Sequence, residues 1–104
     1  MRRYTAPELH QRLQAPSAPQ LLDIREHWER AICSIEPSLH IPMRAVPTAL
    51  NQLDRNREVV VYCHHGIRSQ PVTRYLLDQG FEVADLAGGI DAWTREIDPS
   101  LESY

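Results

Sequence analysis

Val59-Val60-Val61-Tyr62-Cys63-His64-His65-Gly66-Ile67-Arg68-Ser69 is the stretch from which the architecture of this 104-residue chain can be read. From Glu58 to Tyr62 the apolar residues run together instead of alternating, the pattern of a short strand buried on both faces. From Ser69 to Gln79 the apolar positions Val72, Tyr75, Leu76 and Leu77 recur at helical spacing. Ser69 can therefore open a helix, and Gly80 supplies its C-terminal stop. A strand, loop and helix in this order put Cys63 to Arg68 at the carboxyl end of a strand, where open α/β sheets place their ligands.

The loop has a definite chemistry. Gly66 lets the backbone turn tightly enough for the N–H groups from His64 to Ser69 to point inward as an anion nest, with Cys63 at its rim. Those donors, the positive end of the helix and Arg68 together favour a thiolate over a thiol, which makes Cys63 the candidate nucleophile. Loop size matters as much as residue type. Phosphatases that work through a cysteine keep five residues between Cys and Arg, wide enough for a tetrahedral phosphate, whereas Cys63 and Arg68 enclose only four. The narrower cradle suits a single sulfur atom and disfavours a cysteine phosphatase or arsenate reductase.

A six-residue loop that begins with Cys, has Gly at its fourth position and ends in Arg resembles the active-site loop of the rhodanese (sulfurtransferase) family. The likeness extends through Leu21-Leu22-Asp23-Ile24-Arg25-Glu26 with Trp28-Glu29, through Leu39-His40-Ile41-Pro42, and through Leu86-Ala87-Gly88-Gly89-Ile90-Asp91-Ala92-Trp93. These segments stand in the family's order and approximate spacing. The resemblance implies a single rhodanese-like α/β domain over residues 1–104, with a mainly parallel central sheet of about four or five strands and helices on both faces. It also implies a relay in which Cys63 takes a sulfane sulfur from a donor such as thiosulfate, holds it as a persulfide, and yields it to cyanide or a thiol. His64, His65, Gly66, Ile67, Arg68 and Ser69 would bind the substrate, and no metal or organic cofactor is required. A sulfur carrier that hands its persulfide only to a protein partner fits the same residues.

Two departures from the family pattern stand out, the first at a turn outside the loop and the second inside it. Ile32-Cys33-Ser34-Ile35-Glu36-Pro37-Ser38 lacks the usual His and Gly, and His64 replaces the Arg that often follows the Cys. With neutral histidines the rim is less positive, so a dianionic donor is expected to bind more weakly.

The rest of the chain reads as alternating strands and helices, which argues a parallel sheet covered on both sides. Thr5-Ala6-Pro7-Glu8 is a capping box opening a helix through about Leu13, and Gln20 to Ile24 is a strand. A short helix at Glu26 to Arg30, a strand at Leu39 to Ile41, a helix at Thr48 to Leu53, a strand at Phe81 to Asp85 and a helix from Ile90 to about Glu96 complete the pattern.

Composition excludes several alternatives. Net charge is −3, and the eleven basic residues, all Arg, are scattered without forming a stripe, which argues against a nucleic-acid partner. No apolar run approaches a membrane span and no signal-peptide core follows Met1, so a cytoplasmic protein is expected. Cys33 and Cys63 make no disulfide framework, and Cys33 reads as a buried thiol. Neither C-x-x-C nor H-x-x-x-H occurs, so Cys63, His64 and His65 do not read as a metal site; the histidines line the entrance. Asp23 and Arg25 either approach the pocket or pair structurally. Trp28 and Trp93 read as core, and Gly88-Gly89 as a tight turn.

Overall fold

The computed structural model describes residues 1–104, and its centre is a five-stranded, wholly parallel sheet in the order β1-β5-β4-β2-β3. The strands are β1 (Arg2–Tyr4), β2 (Gln20–Asp23), β3 (Leu39–His40), β4 (Val59–Tyr62) and β5 (Val83–Leu86), and the helices are α1 (Ala6–Leu13), α2 (His27–Ile32), α3 (Ser69–Asp78) and α4 (Gly89–Glu96). The strand that carries the thiol is the middle one. Val59, Val61 and Cys63 project into one apolar cluster with Val72, Leu76 and Phe81. Val60 and Tyr62 project into the other, with Leu9, Ile90 and Trp93. That two-sided burial is why β4 is uninterruptedly apolar.

The capping box at Thr5 is present in both halves, Glu8 N–H to Thr5 Oγ1 at 3.3 Å and Thr5 N–H to Glu8 Oε1 at 2.8 Å. Gly80 adopts φ +89° just after α3, as the stop signal required. Several expectations are corrected. Residues 48–53 do not form an α-helix; 3₁₀ turns at Met43–Thr48 and Leu50–Gln52 replace it, because Pro47 removes a donor and the segment has no continuous apolar stripe. The last strand runs Val83–Leu86, so Phe81 precedes it and fills the core from the connection. Strand β1 has no counterpart in the sequence reading; it is a three-residue edge strand that pairs through its backbone with β5. Leu77 is exposed, and Trp28 is 60% exposed and not core, whereas Trp93 is buried. No helix is long and apolar enough to cross a membrane.

Strands β2 and β4 are neighbours, yet their helices depart to opposite faces: α3 packs on the Val59 side, while Ile32 at the end of α2 packs on the Val60 side. A crevice opens between such diverging connections at the carboxyl ends of the strands. The Cys63–Arg68 loop lies there.

Candidate active site

Cys63 sits at the floor of the loop and not at its rim, 1% exposed, and its Sγ accepts the Gly66 N–H at 3.2 Å. The amides of Ile67, Arg68 and Ser69 take no backbone acceptor, which leaves donors at the head of α3. The loop is fastened from three sides. Gly66 O accepts from Arg3 Nη2 at 3.0 Å and from Gln70 Nε2 at 2.8 Å. The amides of Ile90 and Asp91, in the first turn of α4, bond to Cys63 O (2.9 Å) and His64 O (3.0 Å). Gly66 has φ +84°, and a Cβ there would meet Gly88 N at 2.8 Å.

Ser69 does not face the crevice rim. Its side chain is wholly buried and donates to Asp85 Oδ2 at 3.2 Å, while Arg3 clamps the same carboxylate at 2.9 and 3.0 Å. Ser69 therefore anchors the start of α3 from below. Arg68 reaches across the crevice to Glu29 of α2 in a bidentate pair of 2.8 and 2.7 Å. Ile67 is 72% exposed, and His65 is exposed beside it.

Asp23 and Arg25 form a structural pair. Both are fully buried, Nε and Nη2 of Arg25 each donate to one carboxylate oxygen at 2.9 Å, and Nη2 also reaches Cys33 O at 2.6 Å. Tyr62 Oη donates to Asp23 Oδ2 at 3.2 Å, and Arg30 Nη1 does so at 3.1 Å. Burial first, then the Asp23 charge, pushes the Tyr62 phenol up to about 12. Burial opposes the charge on Arg25, but its bonds to Asp23 and Tyr104 win and hold it protonated. Cys33 is a buried free thiol, as expected, with Arg25 Nη1 4.0 Å from its sulfur.

The rim is aromatic. His64 lies between His65 and Tyr104, with centroids 3.8 Å away on each side, and Trp28 meets Tyr104 edge-on. Burial, then the neighbouring His65, lowers the His64 pKa, which keeps this side chain uncharged near neutrality. His64, His65 and Asp91 bring ligand-capable atoms within 4.8 Å of one another.

Glu29 is the residue that sequence reasoning passed over, since a Glu in a short helix gives no local sign of a partner 39 positions away. Burial disfavours its charge, but Arg68, the Glu26 amide and Tyr104 outweigh this and hold it at about 2, below its ordinary 4.5. The ionised form thus favours folding: its contribution is complete above pH 4.5 and is lost as pH falls toward 2. Acid unfolding of Glu29→Gln, followed by circular dichroism, is expected to lose the part of the parent's pH dependence that lies in this window.

Known proteins share the family pattern and the fold. The description of the Rhodanese-like domain matches residues 5–96. A relative from Allochromatium vinosum named "Sulfurtransferase" is 40% identical over 88 residues, covering 84% of this chain and 82% of its own. The Arabidopsis thaliana "Adenylyltransferase and sulfurtransferase MOCS3" is 31% identical across 98% of this chain, which spans 26% of that longer protein. The crystal structure of a rhodanese-like domain protein from Staphylococcus aureus superposes with a TM-score of 0.87 at 32% identity, covering 100% of this chain and 99% of that one. With its thiol-bearing loop at the switch point of a parallel sheet and this match over most of its length, the chain belongs to the Rhodanese-like domain family, whose common chemistry is sulfur transfer.

Proposed function

We propose that Cys63 carries sulfane sulfur between a small donor and a nucleophilic acceptor in the cytoplasm. The observation that carries this reading is the Gly66 amide aimed at Sγ at 3.2 Å, within a loop that places further free amides at the head of α3. The Cys63 thiolate attacks the outer sulfur of a donor such as thiosulfate; the donor S–S bond breaks, its electron pair leaves with sulfite, and a persulfide remains on the enzyme. Cyanide or a thiolate then attacks that outer sulfur and the Cys63 thiolate departs. The persulfide is an anion held by fixed dipoles, which need no reorganisation as charge moves. Arg68, tied to Glu29, orients the loop's end.

Intact-mass measurement after incubation with thiosulfate tests this. One added sulfur is expected, confined to the Cys63 peptide and discharged by cyanide; an unmodified mass with every sulfane donor tried would end the reading.

A second reading, delivery to a protein acceptor, draws on two observations. The loop's only arginine is neutralised by Glu29, and Ile67 presents an exposed apolar side chain at its tip. In that case the persulfide forms, but cyanide and small thiols discharge it slowly.

A further inference from the structure

Two neighbouring histidines of the Cys63–Arg68 loop have ring nitrogens with no protein partner. His10 and His40 each set a ring nitrogen on a partner, Gln14 Nε2 at 3.0 Å and Arg25 O at 2.7 Å, whereas those of His64 and His65 reach none. From sequence this pair lacked a third ligand. The fold supplies one, because the Asp91 N–H, in the first turn of α4, bonds to His64 O at 3.0 Å and brings the Asp91 carboxylate beside the two rings. Ligand atoms of the three residues lie within 4.8 Å of one another, and Cys63 is not among them.

We propose that His64, His65 and Asp91 form a site for one divalent late transition-metal ion of the zinc type, which clasps the Cys63–Arg68 loop to α4. Two imidazoles and a carboxylate are a donor set that Zn²⁺ accepts, whereas Mg²⁺ and Ca²⁺ require oxygen ligands. Around a tetrahedral zinc with bonds of about 2.0–2.2 Å the ligand atoms stand about 3.4 Å apart, so the three must close by at most about 1.4 Å. Rotation of side chains suffices. His65 is exposed and unbonded, and Asp91 gives up only a 3.3 Å contact with Arg95, an exposed ion pair of little energetic weight. The same exposure gives the ion a path of entry and leaves its fourth position to water. The amides of Ile90 and Asp91 already join α4 to the carbonyls of Cys63 and His64, so the main chains that carry the ligands are held together before the ion arrives. Its binding energy then adds to the stability of the folded state.

The test is calorimetric titration of Zn²⁺ into the Cys63→Ser chain, where the loop thiol cannot compete for the metal and Cys33 is buried. Melting temperature is read in parallel. One ion per chain and a rise of several degrees at saturating zinc are expected, with no response to Mg²⁺ or Ca²⁺. His65→Ala and Asp91→Asn, added singly, each remove one ligand and are expected to weaken zinc binding at least tenfold. His27→Ala removes a histidine that packs edge-on against His40, outside the site, and is expected to leave the affinity unchanged. If Asp91→Asn weakens the fold itself, His65→Ala decides, since its side chain is exposed and unbonded. No saturable binding at millimolar zinc, or an affinity that persists in both ligand variants or falls equally in His27→Ala, overturns the site. Sulfur loading has no part in the readout, so the metal site and the sulfur-transfer reading stand or fall separately.

Discussion

Asp23→Ala is expected to destabilise the fold by about 3–5 kcal/mol, because it leaves the Arg25 guanidinium charged, buried and without its counter-ion. The Arg25 side chain has no exposed surface, and the variant lacks both carboxylate bonds that hold it at 2.9 Å. The loss extends further. Asp23 also accepts from Tyr62 and Arg30, so its removal leaves the buried Tyr62 phenol with only Ser38 and the Ile35 amide as partners and loosens α2. For a domain of this size the melting temperature should fall by more than about 12 °C, as read by calorimetry or circular dichroism. The double variant Asp23→Leu/Arg25→Met is expected to recover part of this, since no unpaired charge remains inside. Recovery stays incomplete because Cys33 O and the Tyr62 hydroxyl still lose partners. If the single variant melts with the parent, the pair is not the organising element of this face.

Legibility of the molecule followed the range of the forces involved. The thiol-bearing strand, the loop and α3 were legible because each is written in consecutive residues: an apolar run, a glycine that adopts φ +84°, and a helical spacing closed by Gly80. The capping box at Thr5 belongs to the same class. Strand β1 was not legible, because an edge strand of three residues holds itself by backbone pairing and carries no apolar signature. Arg3 was hidden for the same reason, although it clamps both Asp85 and the loop carbonyl of Gly66. Trp28 misled because a short helix does not reveal which face it buries. Its indole instead lies against Tyr104, 76 positions along the chain.

The charge balance of the site also came from tertiary pairing. Arg68, read in sequence as a charge that favours the thiolate, is matched by Glu29, and His64 is kept neutral by its buried, stacked surroundings. What remains to hold an anion beside Cys63 is chiefly the backbone. A cradle of that kind discriminates by size and direction of approach more than by net charge, which agrees with a loop too narrow for phosphate.

Gly89→Ala carries the second large expectation, a loss of about 2–4 kcal/mol together with a fall in sulfur loading on the order of a hundredfold. In sequence Gly88-Gly89 is a turn before a helix; in the fold Gly89 is where α4 meets the Cys63–Arg68 loop. Its φ is +61°, which alone penalises a side chain, and a Cβ would overlap the carbonyl oxygens of both Cys63 and His64. Both obstacles are backbone, so no side chain can swing away to relieve the overlap. Relief requires α4 to back off, breaking the Ile90 and Asp91 amide bonds to those carbonyls, each worth about 1 kcal/mol. The loop would then shift beneath Cys63, and a displacement near 1 Å at a reacting atom can cost about 10²-fold in rate. Gly80→Ala provides the contrast. Its φ is +89°, but a Cβ there would meet only Arg55 Nη1 at 3.8 Å, so about 1–2 kcal/mol of backbone strain is expected and no change in loading. Equal loading rates in the two variants would separate α4 docking from the chemistry of Cys63.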